Sequence, residues 1–241
     1  MDTLVVLPTY NEAGSLEAVV GGIVASSVGV LIVDDSSPDG TGRIADHLAA
    51  SHAGVSVLHR THKRGLGEAY LAGFKVALAT GAGKICCMDA DGSHDPADLQ
   101  RLTAALDEGA DMVIGSRLVS GGKFAGTPLS RRALSRMGNL YARAVGGIQI
   151  HDSTSGFRAY RRELLADIGS LGPVPQGYAF QIEMVRRAEA AGAVIREVPI
   201  TFSPRSSGGS KLDLGVVVEA FRVVSGWGTQ RLRQKRRRSS L

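Results

Sequence analysis

Lys84-Ile85-Cys86-Cys87-Met88-Asp89-Ala90-Asp91-Gly92-Ser93-His94-Asp95-Pro96 decides the fold. Five residues, Lys84 to Met88, read as a buried strand, almost wholly apolar and too short for a helix. The strand then stops at an acidic, glycine-containing turn, and Pro96 opens a helical pattern that runs to Glu108. A continuous apolar strand feeding a polar turn and then a helix is the signature of a βαβ unit.

The same grammar repeats on both sides. Leu4–Leu7, Val30–Val33, Val55–Leu58 and Met112–Ile114 read as further strands, and Ser15–Ala25, Arg43–Ala50 and Leu66–Thr80 as the helices between them. A later strand, Val194–Phe202, follows a helix at about Phe180–Ala191. The expectation is a single α/β domain: a doubly wound, Rossmann-like, mostly parallel sheet flanked by helices. We set it at residues 1–212, with an amphipathic helix and basic tail over 213–241. In open parallel sheets the ligand sits at the carboxyl ends of the strands. There the chain carries Pro8-Thr9-Tyr10-Asn11-Glu12, Asp34-Asp35-Ser36-Ser37-Pro38-Asp39-Gly40, the Asp89–Pro96 turn and Gly115-Ser116-Arg117. Acids predominate at this mouth.

Composition agrees. Of 241 residues 44% are apolar and 21% charged, which excludes a disordered chain. Apolar runs of about five residues fall short of the ~18 that span a bilayer. Asp2 and the lack of a basic leader argue against a signal peptide. Cys86 and Cys87 point to opposite faces of a strand and form neither a metal pair nor a structural disulfide. The expected compartment is reducing and cytosolic. The net charge of +5 lies in the tail, where Arg231, Arg233, Lys235, Arg236, Arg237 and Arg238 supply six positives. Without those six, 22 basic residues face 23 acidic ones. A nucleic-acid binder would explain the tail but not the acidic mouth, since phosphate backbones demand cationic faces.

Asp89-x-Asp91 places two hard carboxylates where a divalent cation and a diphosphate could meet; an Asx turn with a helix cap before Pro96 is the plainer reading. Gly40-Thr41-Gly42-Arg43-Ile44-Ala45 matches a dinucleotide spacing but follows the second strand and three acids, so a turn and helix cap is expected. No Walker loop or G-x-S-x-G elbow is present, and the histidines lack zinc-site partners. Ser203–Lys211 is rich in Gly and Ser with cationic ends; it suits a loop closing over phosphate, or a plain solvated loop.

Taken in order, Leu7–Glu12, Val33–Thr41, Gly65–Tyr70, Met88–Asp91, Gly115–Arg117, Asp152–Arg158 and Ser210–Leu212 resemble the motifs of the family 2 glycosyltransferases of GT-A fold, and more closely those of the polyprenol-phosphate (dolichol-phosphate type) mannosyltransferases. The resemblance spans about Thr3 to Leu212. It implies inverting transfer of mannose from GDP-mannose to a polyprenyl monophosphate. By that resemblance Pro8, Tyr10, Glu12, Val33, Asp35, Asp89, Ala90, Asp91, Arg205 and Lys211 bind the donor. Arg117, Arg131 and Ser135 receive the acceptor phosphate, and Asp89, Asp91, Arg117 and Arg131 carry the reaction. Asp91 holds Mg2+ or Mn2+, with Ser93 standing where many relatives have Gln. A family 2 enzyme moving glucose from UDP or dTDP is the alternative.

The expected partners are the two substrates and an anionic membrane surface, with no nucleic acid. Some relatives continue into transmembrane helices, which leaves room for a membrane partner subunit. Leu214, Val217, Val218, Phe221, Val224 and Trp227 form one apolar helical face ahead of the basic tail. That face either packs on the domain or holds the enzyme on the cytoplasmic leaflet, with Trp227 as an interfacial anchor.

Overall fold

A computed structural model describes residues 1–170, 172, 174–175, 177–205 and 218–229. Lys211, Leu214, Val217, the boundary at 212 and the basic tail lie outside them.

Among the described residues there are nine strands and seven α-helices: β1 Thr3–Thr9, α1 Leu16–Val24, β2 Gly29–Asp34, α2 Thr41–Ser51, β3 Val55–His59, α3 Leu66–Ala79, β4 Lys84–Cys87, α4 Leu99–Asp107, β5 Met112–Ser116, β6 Lys123–Phe124, α5 Leu129–Tyr141, β7 Arg158–Arg161, α6 Arg162–Gly169, α7 Gly177–Ala190, β8 Ile195–Pro199 and β9 Thr201–Phe202. A further helical stretch covers 218–229.

The main sheet has the order β3-β2-β1-β4-β7-β5-β8. The pairs β1/β2, β2/β3, β1/β4 and β5/β8 are parallel. The chain steps outward from β1 through β2 to β3, then returns to add β4 on β1's other side. The crevice beyond the β1 and β4 carboxyl ends is therefore the switch point where such sheets bind ligands.

Side-chain alternation along buried strands splits the core into two layers. Val5, Leu7, Val30, Ile32 and Cys86 pack with Leu16, Leu48 and Leu102 on one face. Val6, Leu31, Val33 and Cys87 pack with Tyr70, Phe74 and Phe180 on the other. The adjacent cysteines thus part to opposite layers, both free and buried, and burial lifts the Cys86 thiol to about 12. Close packing explains Gly73 of α3: a Cβ there would stand 2.4 Å from Val6 Cγ1.

The structure corrects one expectation and adds two elements that the sequence left unassigned. Arg158–Arg161 inserts as an antiparallel strand between β4 and β5; its arginines hide it from an apolar-run reading, because Arg158 is fully buried by bonding three backbone carbonyls. Val194–Phe202 is two strands, since Ile200 turns away after Pro199 and β9 pairs with β6 in a separate two-stranded sheet. The segment Leu129–Gly146, unassigned from the sequence, is α5 followed by a π-helical turn at Ala142–Gly146. Its apolar residues escape a burial-based reading because Leu129, Met137 and Leu140 are exposed.

Candidate active site

One cavity of about 490 Å3 opens at the switch point. Pro8, Tyr10, Glu12, Asp35, Asp89, Ala90, Asp91, Ser93, Arg117, Arg131, Ser135 and Arg205 all line it. Val33 does not: its side chain is fully buried in the core layer beside Val6 and Leu31.

The acidic end is built from turns whose backbone N–H groups and hydroxyls hold the carboxylates. Asp34 and Asp35 divide their labour. Asp34, buried, accepts from Thr9 and Ser37 and clamps the turn. Asp35 faces the cavity and pairs with Arg60. Burial raises the Asp35 carboxyl above its usual value despite that arginine. Gly40, in the left-handed region at φ 93°, starts α2, and Asp39 accepts from the Thr41 N–H and hydroxyl. That is the turn and cap expected of Gly40–Ala45. The Ser15 hydroxyl donates to the Ala90 carbonyl at 2.7 Å, tying the start of α1 to the Asp89–Asp91 turn.

Both plain features of that turn are present. Asp91 Oδ1 accepts from Ser93 N–H at 3.0 Å, and Asp95 caps the short turn at Pro96 by accepting from Ala97 N–H. The Asx turn occupies one Asp91 oxygen. The other, Oδ2, stands 3.0 Å from Arg205 Nε, and Arg205 also lies 3.6 Å from Glu12.

Asp89, partly exposed, rests against the backbone of Gly156, where a Cβ would fall 2.9 Å from Asp89 Oδ2. The His94 ring stands 3.4 Å away, wedged between Phe157 and Phe202. Burial works against the charged Asp89, but His94, Arg205 and Arg117 outweigh it and hold the carboxyl below its usual value. Among the described residues no three His, Cys, Asp or Glu side chains gather as a closed metal cage. An open site of one or two carboxylates is what Mg2+ uses when phosphates and water complete its shell. The hydroxyl of Ser93, buried without a hydrogen-bond partner beside Asp91, fits such an oxygen set.

The basic end is different. Arg117, at the close of β5, lies across Asp152: Nε and NH2 donate to the two carboxylate oxygens at 2.7 and 2.6 Å, and NH2 also donates to Thr154 Oγ1. Phe124 and Phe202 flank the guanidinium. Burial opposes the charge of Asp152, yet Arg117 holds its carboxyl below the usual range. Arg131 and Ser135 come from α5, and the Ser135 hydroxyl is buried with no hydrogen-bond partner. Leu134, Tyr141, Phe221 and Val224 add apolar surface to the lining.

The helix at 218–229 docks through Val224 and Trp227. Trp227 packs on the core layer and stacks with Arg186 at 5.1 Å, and Tyr141 bonds Ser225. Trp227, half-buried, therefore packs on the domain, which is one of the two readings the sequence left open for this apolar face. Val218 and Phe221 remain exposed.

Sequence reasoning passed over Lys63, which lies 3.9 Å above the Tyr10 ring, and passed over His94 and Asn139. Lys63 sits in a charged loop and signals nothing locally. A polar Asn inside an apolar–basic helix was the one readable clue.

Comparison with known proteins follows this geometry. The family model "Glycosyl transferase family 2" matches residues 4–169. The chain is 48% identical to the polyprenol monophosphomannose synthase of Mycolicibacterium smegmatis, over 94% of this chain and 86% of that one. It is 47% identical to the undecaprenyl-phosphate mannosyltransferase of Micrococcus luteus, over 95% and 94%. Its fold is similar to glucosyl-3-phosphoglycerate synthase from Mycobacterium tuberculosis, solved with Mn2+, UDP-glucose and phosphoglyceric acid. That likeness has a TM-score of 0.67 and 22% identity, covering 92% of this chain and 79% of that one. The motifs, the sheet topology and these likenesses converge: the chain belongs to glycosyltransferase family 2, with the GT-A fold, and is a glycosyltransferase.

Proposed function

We propose that this glycosyltransferase moves mannose from GDP-mannose to a polyprenyl monophosphate, with inversion at the sugar carbon. The observation that carries the reading is the polarity of one cavity. Along the sheet Asp35 follows β2, Glu12 follows β1, Asp89 and Asp91 follow β4 and Arg117 follows β5, and Arg131 with the apolar Leu134, Tyr141, Phe221 and Val224 completes the lining. A sugar nucleotide, a phosphate and an isoprenoid chain call for those surfaces. The 47–48% identical relatives, named for polyprenol monophosphomannose synthesis and undecaprenyl-phosphate mannosyl transfer, support the mannosyl and polyprenyl assignments.

A phosphate monoester has a second pKa near 6 and is mostly dianionic at pH 7. Such a nucleophile needs positioning and charge relief rather than a strong base. Arg117, Arg131 and Ser135 supply both on the acceptor side. Pro8, Tyr10, Glu12 and Asp35 line the wall for the nucleoside, and Arg205 and Lys211 neutralise the donor's charge. Asp91, aided by Asp89 and Ser93, would hold Mg2+ or Mn2+, whose Lewis acidity stabilises a departing diphosphate. A direct displacement from an α-linked donor gives a β-linked product.

The acceptor is a membrane lipid, and among the described residues no helix is long and apolar enough to cross a bilayer. We assign the membrane face to the exposed Leu129, Met137, Leu140, Val218 and Phe221, carried by α5 and the 218–229 helix, which also give the cavity Leu134, Tyr141 and Val224, with the basic tail on an anionic cytoplasmic leaflet.

The test is a panel: purified protein, polyprenyl phosphate, and GDP-mannose, UDP-glucose or dTDP-glucose, each with Mg2+, Mn2+ or chelator. We expect lipid-linked mannose from GDP-mannose alone, lost in chelator. Turnover of a glucose donor in its place overturns the sugar, and undiminished turnover in chelator overturns the metal.

A further inference from the structure

Helix α5 carries two acceptor-side residues, yet it is poorly anchored by apolar burial. Its one buried side chain is Asn139, 1% exposed, while Leu129, Leu134, Met137 and Leu140 face outward. An amphipathic helix ordinarily holds its place through a buried apolar stripe. Here the hold is a polar pin.

Both ends of the Asn139 amide are used. Its Nδ2 donates to the Ser135 carbonyl at 3.0 Å, to Thr154 Oγ1 at 3.0 Å and to Asp152 Oδ1 at 3.3 Å. Its Oδ1 accepts from the Ser153 hydroxyl at 2.9 Å. Asp152 Oδ1 and Thr154 Oγ1 are the same two atoms that Arg117 NH2 grips from β5. The 152–154 loop is itself braced from behind, since Glu197 of β8 accepts from the Asp152 N–H at 2.9 Å and Arg158 donates to the Ser153 carbonyl at 2.6 Å. One fixed loop thus holds Arg117 with one side and α5 with the other. Two elements with few direct contacts are brought into register through shared acceptors.

We propose that Asn139 is the positioning residue of the acceptor site: by sharing Asp152 and Thr154 with Arg117, it fixes where α5 presents Arg131 and Ser135 to the phosphate. This rests on the acceptor reading given above. Asn139 does not touch the phosphate. Its amide suits the task because its two N–H donors are shared among the Ser135 carbonyl, Asp152 and Thr154, and its oxygen accepts from Ser153, without adding charge beside Asp152. A carboxylate would repel Asp152, and an aliphatic chain would leave Ser153 and Thr154 short of partners.

The experiment compares wild type, Asn139→Leu and Asn139→Asp, together with Ser153→Ala, which removes only the bond to Asn139 Oδ1. Binding of farnesyl phosphate and of GDP-mannose is measured separately by calorimetry, and KM and kcat with a polyprenyl phosphate. A displaced catalytic or binding group costs on the order of 10²-fold. Asn139→Leu and Asn139→Asp are therefore expected to weaken farnesyl phosphate and raise acceptor KM about 10- to 100-fold, with GDP-mannose affinity within about twofold. Ser153→Ala shifts the same quantities less. Because Asn139 acts through α5, adding Arg131→Ala to Asn139→Leu should cost little beyond the larger single loss. Losses that multiply, or donor and acceptor affinities that fall together, overturn the positioning role and leave a structural one. Unchanged acceptor binding in a folded Asn139→Leu protein overturns it outright, and if that variant does not fold, unchanged acceptor binding in Ser153→Ala and Asn139→Asp does so. Wild type that binds GDP-mannose but neither lipid phosphate refutes the acceptor reading itself, and the role of Asn139 with it.

Discussion

The donor and acceptor walls of the cavity are made by different means. On the donor side, Glu12, Asp35, Asp89 and Asp91 stand just past parallel strands whose residues are almost wholly buried, and neighbouring turns fix them. On the acceptor side, Arg131 and Ser135 ride a surface helix held by Asn139, and Arg117 is aligned by a buried carboxylate. Strand ends are positioned by the whole core and tolerate local change. A polar pin concentrates the same task in a few hydrogen bonds, and its loss is felt at once. In the proposed reading the carboxylates gather where a cation and a diphosphate would bind, and the guanidinium groups where the acceptor phosphate would.

That contrast can be broken or sharpened by substitution. The largest effect belongs to the donor wall. Asp91→Ala should lower turnover on the order of 10²–10³-fold or more in a protein that still folds, since the local contacts it gives up include the Asx-turn bond from Ser93 N–H and the ion pair with Arg205. Near-normal turnover with Mg2+ or Mn2+ would remove Asp91 from the metal and diphosphate.

Next comes a split between the two acceptor arginines. Each, replaced by Ala, should cost on the order of 10–150-fold in kcat/KM, the worth of one charge-assisted contact, with donor affinity much less altered. Their stabilities should differ. Arg117→Ala strands Asp152 as a buried unpaired charge, a loss of about 3–5 kcal/mol, whereas Arg131 is exposed and its removal should leave the melting temperature alone. Equal melting temperatures would show that Asp152 does not depend on Arg117.

A smaller effect concerns the membrane face. Ending the chain after Trp227 should weaken binding to anionic vesicles in a salt-sensitive way and lower activity on long polyprenyl phosphates, with a short soluble acceptor used nearly as before. Vesicle sedimentation unchanged by truncation would confine the contact to α5 and 218–229.

The smallest effect is a pH dependence. The Asp152 carboxyl is held below its ordinary 3.8 by Arg117 against the cost of burial. A carboxyl with a depressed folded value contributes stability that is complete above the unfolded value and lost as pH falls through the folded one. Thermal melts should therefore show an acid-side loss beginning near pH 3.8 that Asp152→Asn lacks. An identical acid limb in both proteins would place that titration elsewhere.

Legibility followed the same divide. β1 to β5 and α1 to α4 were readable because burial on both sheet faces leaves continuous apolar runs punctuated by polar turns. Glu12, Asp35, Asp89, Ala90 and Asp91, proposed for the donor, sit in those turns and were readable as cavity residues with them, whereas Val33 occupies a core position as its place in a strand predicts. β7 was unreadable because a buried arginine satisfied by three carbonyls looks like a surface residue in one dimension. Helix α5 was missed for the converse reason, its apolar residues being exposed and its buried residue polar.

What the sequence alone determined is the parallel α/β core, the switch-point mouth and its carboxylates, because local periodicity and turn chemistry specify them within a few residues of chain. Only the tertiary structure decided that Asp34 is buried while Asp35 meets the cavity, that Trp227 packs on the domain, and that Arg117, Asp152 and Asn139 form one network. Asn139 and Asp152 lie 13 positions apart, and Arg117 and Asp152 35 apart. Such contacts are chosen by how whole elements pack, and no local pattern carries that information.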